Sequence, residues 1–328
     1  MRNHWWGAAP ERASRRANPR FTVVGSYPGE ELLQDPVSPA PSPSASGLTE
    51  LLAEIPSLDL AFDAPSKSLW MYYKADGPPH YTLEVLQDIA RLRDRLIAFL
   101  KGQKQPGELV RYLVMASHKP GVFNLGGDLA MFARAVREKD RHTLSGYAHQ
   151  CVELVYGLAT GFGLPIVTVA VVNGRAFGGG MEAALAEDFL IASPCAQMGV
   201  PEVAFNSFPG MGAVTMLSRR LGAAQAGQLI SSGSIYGGRE LYDLGVVDVL
   251  ADHADPHGFA LRWLADGGQE RFARRRALVD ARRAVFPLDY DELIRVTDLW
   301  VDCCCEVTAH DVRHMERLAS AQKRLLRA

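Results

Sequence analysis

The stretch GRAFGGGMEAAL, residues 174–185, decides the fold. Upstream of it runs PIVTVAVVNG (165–174), a β-branched segment that reads as a buried strand. Downstream, Met181 opens a run of helix-forming residues. The stretch is therefore a strand–turn–helix junction with three glycines, Gly178, Gly179 and Gly180, at the joint. Glycine leaves no side chain over the chain's own N–H groups, and the first N–H groups of a helix lack intrahelical partners. An oxygen carrying negative charge is stabilised there. A Gly-rich hinge or a tight helix–strand contact would produce the same letters.

A second junction of the same kind lies upstream in VMASHKPGVFNLGGDLAMF, where Gly126 and Gly127 precede a helix starting around Asp128. One donor from each turn, near Gly127 and Gly179, would hold a single carbonyl oxygen between two backbone N–H groups, which is an oxyanion hole. No G-x-x-x-x-G-K-[ST] loop occurs, and GMGAVT (210–215) lacks the third glycine of a dinucleotide fingerprint.

Two carboxylates accompany the turns. Glu182 falls in the first turn of the helix after Gly180, and Glu202 follows twenty residues later in MGVPEVAFNSFPGMG. One strand, DFLIAS (188–193), and a return loop separate them, so the chain can bring both to one pocket. Paired carboxylates in a pocket push their pKa values apart, leaving one as acid and the other as base. Singly, Glu182 reads as a first-turn acid and Glu202 as a solvated loop residue; the two glycine turns favour the joint reading.

Farther out, SLWMYYKA (68–75) and LVRYLVMAS (109–117) read as strands. YTLEVLQDIARLRDRLIAFLK reads as an amphipathic helix with Leu83, Leu86, Ile89, Leu92 and Leu96 in its apolar positions. LAMFARAVREKD and YAHQCVELVYGLA are helices as well. Alternating strands and crossover helices define an α/β fold with parallel pairing. Three regions are expected: a disordered Pro/Ser/Arg-rich arm over 1–47, a catalytic core over 48–255, and a helical region over 256–328. In the last, Leu293, Val296, Trp300, Cys303 and Val307 make an apolar stripe that continues through Met315, Leu318, Gln322 and Leu325. Cys303 is expected to fill a helix–helix seam, and the stripe to pack on another subunit, making this the oligomerisation region.

The 328 residues are 48% hydrophobic and 22% charged, with a formal net charge of −2. That profile suits a soluble globular protein and gives no reason to expect nucleic acid or an anionic membrane as a main partner. No apolar run has the length of a membrane span, and the basic N-terminus has no apolar signal core. The five cysteines include the run Cys303-Cys304-Cys305, which is no disulfide framework and fits a reducing cytoplasm. No further ligands accompany the run, so no metal is expected. Cys151 and Cys195 are read as buried packing residues, and G-x-S-x-G is absent. The arginines 274–276, 282 and 283 read as a solvated helix face, or as a contact for an acidic carrier protein. His118 reads as a solvated loop residue.

FNLGGDL, NGRAFGGGMEAAL, MGVPEVAFNSFPGMGA and LISSGSIYGGRELYDLGVVD resemble, in order and spacing, the crotonase (enoyl-CoA hydratase/isomerase) superfamily over roughly residues 55–255. The resemblance implies a spiral of repeated β-β-α units with a C-terminal helical region. It implies catalytic glutamates at Glu182 and Glu202, oxyanion-hole amides at Gly127 and Gly179, and substrate contacts at Gly126, Gly178, Gly180 and Gly212. It also implies a trimer or dimer of trimers, and no cofactor beyond the carrier of the acyl group.

Within the superfamily, VFNLGGDL, GGGMEAAL, FPGMGA and LWVD look most like the RpfF-type diffusible signal factor synthases of bacterial quorum sensing. YYKADGPPHYTLEVL lacks the Asn-Ala-Leu turn common in CoA-dependent members, and FNLGGDL departs from their Ala-Gly-Ala core. The implied activity is that of a lyase with thioesterase activity. It dehydrates a 3-hydroxyacyl thioester on acyl carrier protein, or on CoA, to a cis-2-enoyl thioester, then hydrolyses it to the free cis-2-unsaturated acid. A sensor-kinase receiver domain is an implied partner. A plain enoyl-CoA hydratase or isomerase, and a catalytically silent binding module of the same fold, are the rival readings.

Overall fold

The computed structural model describes residues 45–252 and 255–324. Most of the arm expected over 1–47, and Leu325 of the apolar stripe, lie outside the described residues. The described residues begin with α1 (Ala45–Leu51), a hairpin of β1 (Leu58–Asp63) and β2 (Ser68–Tyr73), and α2 (Leu83–Leu100). Thr82 caps α2 by accepting from the Val85 N–H, and its buried face is Val85, Leu86, Ile89, Leu92, Leu96 and Leu100. Leu83, assigned to that face from the sequence, is exposed.

A repeat follows. β3 (Tyr112–Ser117) and short β4 (Val122–Asn124) lead into α3 (Leu129–Glu138) and α4 (Arg141–Thr160). β5 (Val167–Val172) and β6 (Arg175–Phe177) lead into α5 (Gly179–Ala186). β7 (Phe189–Ala192) and β8 (Gln197–Gly199) lead into a 3₁₀ turn (Pro201–Phe205), α6 (Ala213–Leu221) and α7 (Ala223–Ser232). β9 (Tyr236–Gly237), α8 (Gly238–Asp243) and β10 (Val249–Leu250) close the spiral.

Each turn of the spiral gives its long strand to one sheet and its short strand to another. The larger sheet has the order β1-β2-β3-β5-β7-β10, and the smaller the order β4-β6-β8-β9. Pairing is antiparallel at β1–β2 and β8–β9 and parallel elsewhere. The smaller sheet has no separate signature in the sequence. Its strands are three residues or fewer, too short for a period of two to show.

The larger sheet is buried on both faces, which is why VTVAVV reads as a continuous apolar run. Met71, Leu113, Met115, Ala170 and Val172 face α2, α4 and α5 in the main core. Trp70, Tyr112, Val114, Val169 and Val171 face the opposite way, toward Ala260, Leu264, Phe272 and Val279. Those four belong to α9 (Pro256–Ala265) and α10 (Gly268–Val285). The arginine cluster is less a solvated face than a clamp on this second layer. Arg275 stacks 3.5 Å from the Trp263 ring centroid and donates to Tyr112 Oη at 3.1 Å. Arg283 pairs with the buried Asp188 at 2.9 Å.

The helical tail is α11 (Tyr290–Cys305) and α12 (Ala309–Arg324). Its apolar stripe packs on its own chain, α11 against α4 and α12 against α3. Three details correct the sequence reading. Cys304, not Cys303, is the buried member of the run, against Ser207 Oγ at 3.6 Å. The seam is Leu293, Thr297, Trp300, Val301 and Cys304, because the helix takes more residues per turn than the alternating 3–4 spacing implies, so the later residue comes round to the buried side. Cys195, expected to be buried, is exposed among the described residues, in the turn between β7 and β8.

Candidate active site

The glycine junction at 178–180 has a different reason at each of two positions. Gly178 takes φ 51°, and a Cβ there would lie 2.5 Å from Glu202 Oε1. Gly180 approaches β4 so closely that a Cβ would meet Asn124 O at 2.1 Å. The second junction is built to match. Gly126 has φ 87°, and a Cβ there would lie 2.9 Å from Gly179 N, so the two turns touch. Gly178 N–H is used by Gly199 O at 2.8 Å, and Gly126 N–H by Asn124 Oδ1 at 2.8 Å. The N–H groups of Gly127 and Gly179 have no hydrogen-bond partner among the described residues. Both glycines line one cavity of about 240 Å³.

That cavity also receives both glutamates. Glu182, 2% exposed, projects from the first turn of α5. Its Oε1 accepts from Met211 N at 2.9 Å and Ala213 N at 3.0 Å, and the Gly212 amide adds to the same grip. Burial raises its pKa to about 7, and the three amides pull the other way. Glu202 opens the 3₁₀ turn after Pro201. Its Oε2 is buried with no hydrogen-bond partner among the described residues. Burial first, and then the charge of Glu182, push its pKa well above the ordinary carboxylate range. The pair therefore holds a proton at neutral pH, and the geometry puts it on Glu202. Glu182 has amides to stabilise its anion, and Glu202 has none on Oε2.

Most of the remaining wall is apolar, with Phe132, Tyr147, Phe205 and Met211 from the core and Trp300, Leu318 and Ala321 from the C-terminal helices; Arg175 and Gln322 are polar exceptions. Trp300 packs directly on the Met211 turn, where a Cβ on Gly210 would come 2.3 Å from its ring. Cys151 borders the cavity but is fully buried, and burial drives its thiol above the normal range, so it is no nucleophile.

The structure brings together Glu182, Glu202, Gly127, Gly179 and Gly178. It does not place Gly126, Gly180 or Gly212 on the cavity wall. The first two join the turns to each other and to β4, and Gly212, at φ 131°, presents its amide to Glu182. His118 lies apart, stacked 4.0 Å from Tyr72 with Nδ1 2.9 Å from Asp59. Sequence reasoning missed the amide grip on Glu182, although FPGMGA marked the turn that makes it. It also missed Gln322, whose polar side chain in an apolar stripe was the available signal. Among the described residues no cluster of His, Cys, Asp and Glu could hold a metal, and no helix is long and apolar enough to cross a membrane.

Comparison with known proteins bears on the family and the fold. Residues 90–292 match the family model described as enoyl-CoA hydratase/isomerase. The mitochondrial methylglutaconyl-CoA hydratase of Rattus norvegicus is 28% identical over 184 residues, 56% of this chain and 55% of that protein. Its Homo sapiens counterpart is 27% identical over 184 residues, 56% of this chain and 51% of that protein. The chain thus spans about half the length of the curated relatives it matches. Among solved structures, an enoyl-CoA hydratase from Bacillus halodurans superposes with a TM-score of 0.64 at 17% identity, covering 80% of this chain and 99% of that one. DspI from Pseudomonas aeruginosa superposes at 0.55 and 23% identity, covering 81% and 88%. At these identities the structural likeness speaks for the fold alone.

Proposed function

The chain belongs to the enoyl-CoA hydratase/isomerase family, and from that premise we propose that it is a lyase moving water on or off the C2–C3 bond of an acyl thioester. One observation carries the reading: two backbone amides with no partner among the described residues and two buried carboxyls share one largely apolar cavity. The thioester oxygen sits between the N–H groups of Gly127 and Gly179, where enolate charge develops. In the hydration direction the Glu182 carboxylate takes a proton from water as its oxygen bonds to C3, and neutral Glu202 delivers a proton to C2. Dehydration runs the same path backwards from the other tautomer of the pair, with the shared proton moved to Glu182. The Glu202 carboxylate then takes the C2 proton, and protonated Glu182 gives its proton to the leaving hydroxyl.

Within that chemistry we favour the synthase type: dehydration of a 3-hydroxyacyl thioester on acyl carrier protein, followed by hydrolysis to a free cis-2-unsaturated acid that serves as a diffusible signal. The motifs FNLGGDL, FPGMGA and LWVD support it. So does an acyl cavity walled by Trp300, Leu318 and Ala321 of the chain's own tail, which suits an alkyl chain. In the hydrolytic step a glutamate takes a proton from water attacking C1. The tetrahedral oxyanion occupies the same hole, and the proton leaves on the carrier thiol. A plain hydratase or isomerase acting on CoA esters accounts for the two glutamates equally well. A homo-oligomer, a cytoplasmic setting and docking of a receiver domain belong to the same proposal. Incubation with 3-hydroxyacyl thioesters on carrier protein and on CoA discriminates: free enoic acid supports the synthase, and an enoyl thioester alone supports the hydratase. No turnover of either, with unchanged biological output from Glu182→Ala, supports a silent binding module.

A further inference from the structure

The Gly127 donor belongs to a short backbone run in which every other polar group is occupied. Three successive peptide planes make the turn. In the first, Leu125 C=O accepts from Gln322 Nε2 at 3.3 Å, and Gly126 N–H donates to Asn124 Oδ1 at 2.8 Å. In the second, Gly126 C=O accepts from Tyr81 N–H at 2.8 Å, leaving the Gly127 N–H at the cavity wall. In the third, Gly127 C=O accepts from Gln322 Nε2 at 3.3 Å, and Asp128 N–H donates to Tyr147 Oη at 3.4 Å. The one amide side chain of Gln322 therefore brackets the donor plane from both sides. Because both acceptors are carbonyls, only its NH₂ end fits, and both hydrogens are spent.

Gln322 comes from α12, close to the C-terminus, and is 5% exposed. Packing alone does not call for an amide there. Its neighbours in the seam are Met315, Leu318 and Ala319, and burying an amide among apolar groups is unfavourable unless its hydrogen bonds are needed. We propose that Gln322 is a positioning residue for the oxyanion hole, through which the C-terminal helix sets the direction of the Gly127 N–H. The proposal rests on the reading that this cavity polarises an acyl thioester. It makes the catalytic site depend on the docking of α12 without any tail residue touching the reacting atoms.

The test uses the full chain, Gln322→Met, Gln322→Glu, and a 2,4-dienoyl-CoA whose absorbance moves to the red when its carbonyl is polarised. The wild type shifts the absorbance on binding. Gln322→Met keeps the fold, as read by its thermal midpoint, and KM changes little, but kcat falls by roughly tenfold to a hundredfold and the red shift shrinks. In Gln322→Glu an anion faces two carbonyls, and kcat falls further. Its activity relative to wild type rises as pH is lowered and the carboxyl regains a proton to donate. A Gln322→Met protein with undiminished red shift overturns the proposal, whatever its activity, because the side chain would then be structural only. A wild type that binds the dienoyl thioester without a red shift refutes the oxyanion-hole reading itself, and the proposal with it.

Discussion

Glu182→Gln should make the protein more stable as it becomes inactive, and the gain should depend on pH. The folded chain holds Glu182 at a pKa of about 7 against an ordinary 4.5, with burial as the main cause. Between those values the unfolded chain has lost this proton while the folded chain keeps it. Stability therefore falls as pH rises from about 4.5 to about 7 and levels off above. A carboxyl shifted from 4.5 to about 7 makes its ionised form cost about 3 kcal/mol of folding free energy above both values. Glutamine keeps the shape, and its carbonyl can accept from Met211 and Ala213, yet it never carries the charge. Removing that charge also relieves Glu202, whose pKa is raised by Glu182, and this adds stability in the same direction at high pH. Urea titrations of wild type and variant at pH 5 and pH 9 measure the difference. It should be small at pH 5 and reach about 3 kcal/mol in favour of the variant at pH 9. An equal difference at both values would refute the reasoning. It would mean that the amides of the Met211 turn fully offset the desolvation of the carboxylate.

Glu202→Gln removes the group that carries the shared proton. Turnover of a 2-enoyl thioester, followed by the loss of its conjugated absorbance, should fall by about 10²–10⁴ while the thioester still binds. Gly180→Ala puts a methyl carbon 2.1 Å from a backbone oxygen of β4, which cannot swing aside. It should lower stability by about 1–3 kcal/mol in denaturant titration and depress kcat by displacing the Gly179 donor. Arg283→Met leaves Asp188 buried without its cation, at a cost of about 3 kcal/mol, with turnover per folded molecule unchanged. A native-state alkylation experiment with mass analysis should label Cys195 and Cys305 and spare Cys151 and Cys304 until the protein is unfolded.

How much was legible follows from the range of each interaction. Residues 165–185 announced a strand, a glycine turn and a helix because those are local choices of backbone conformation, and β5 and α5 lie there. The short strands β4, β6 and β8 carried no such signal. Each is held by pairing with a neighbour from another turn of the spiral rather than by its own side-chain pattern. Cys303 against Cys304 shows the limit on helices. Spacing announced an amphipathic helix, but which adjacent cysteine enters the seam depends on where α4 and the Ser207 loop lie.

The sequence by itself determined the parts of the site: two glycine junctions, two carboxylates at a fixed separation and an apolar tail. It did so because glycine at a strand–helix joint and an acid in a first helical turn are local constraints. Only the tertiary structure decided how the parts differ. Glu182 receives three amides from the Met211 turn and Glu202 receives none on Oε2, so one is set as the anion and the other as the acid. Desolvation and hydrogen bonding, which set a pKa, come from neighbours far away along the chain. For the same reason the lone polar letter in the α12 stripe could mark Gln322 as unusual but not name the turn at Gly127 as what it grips.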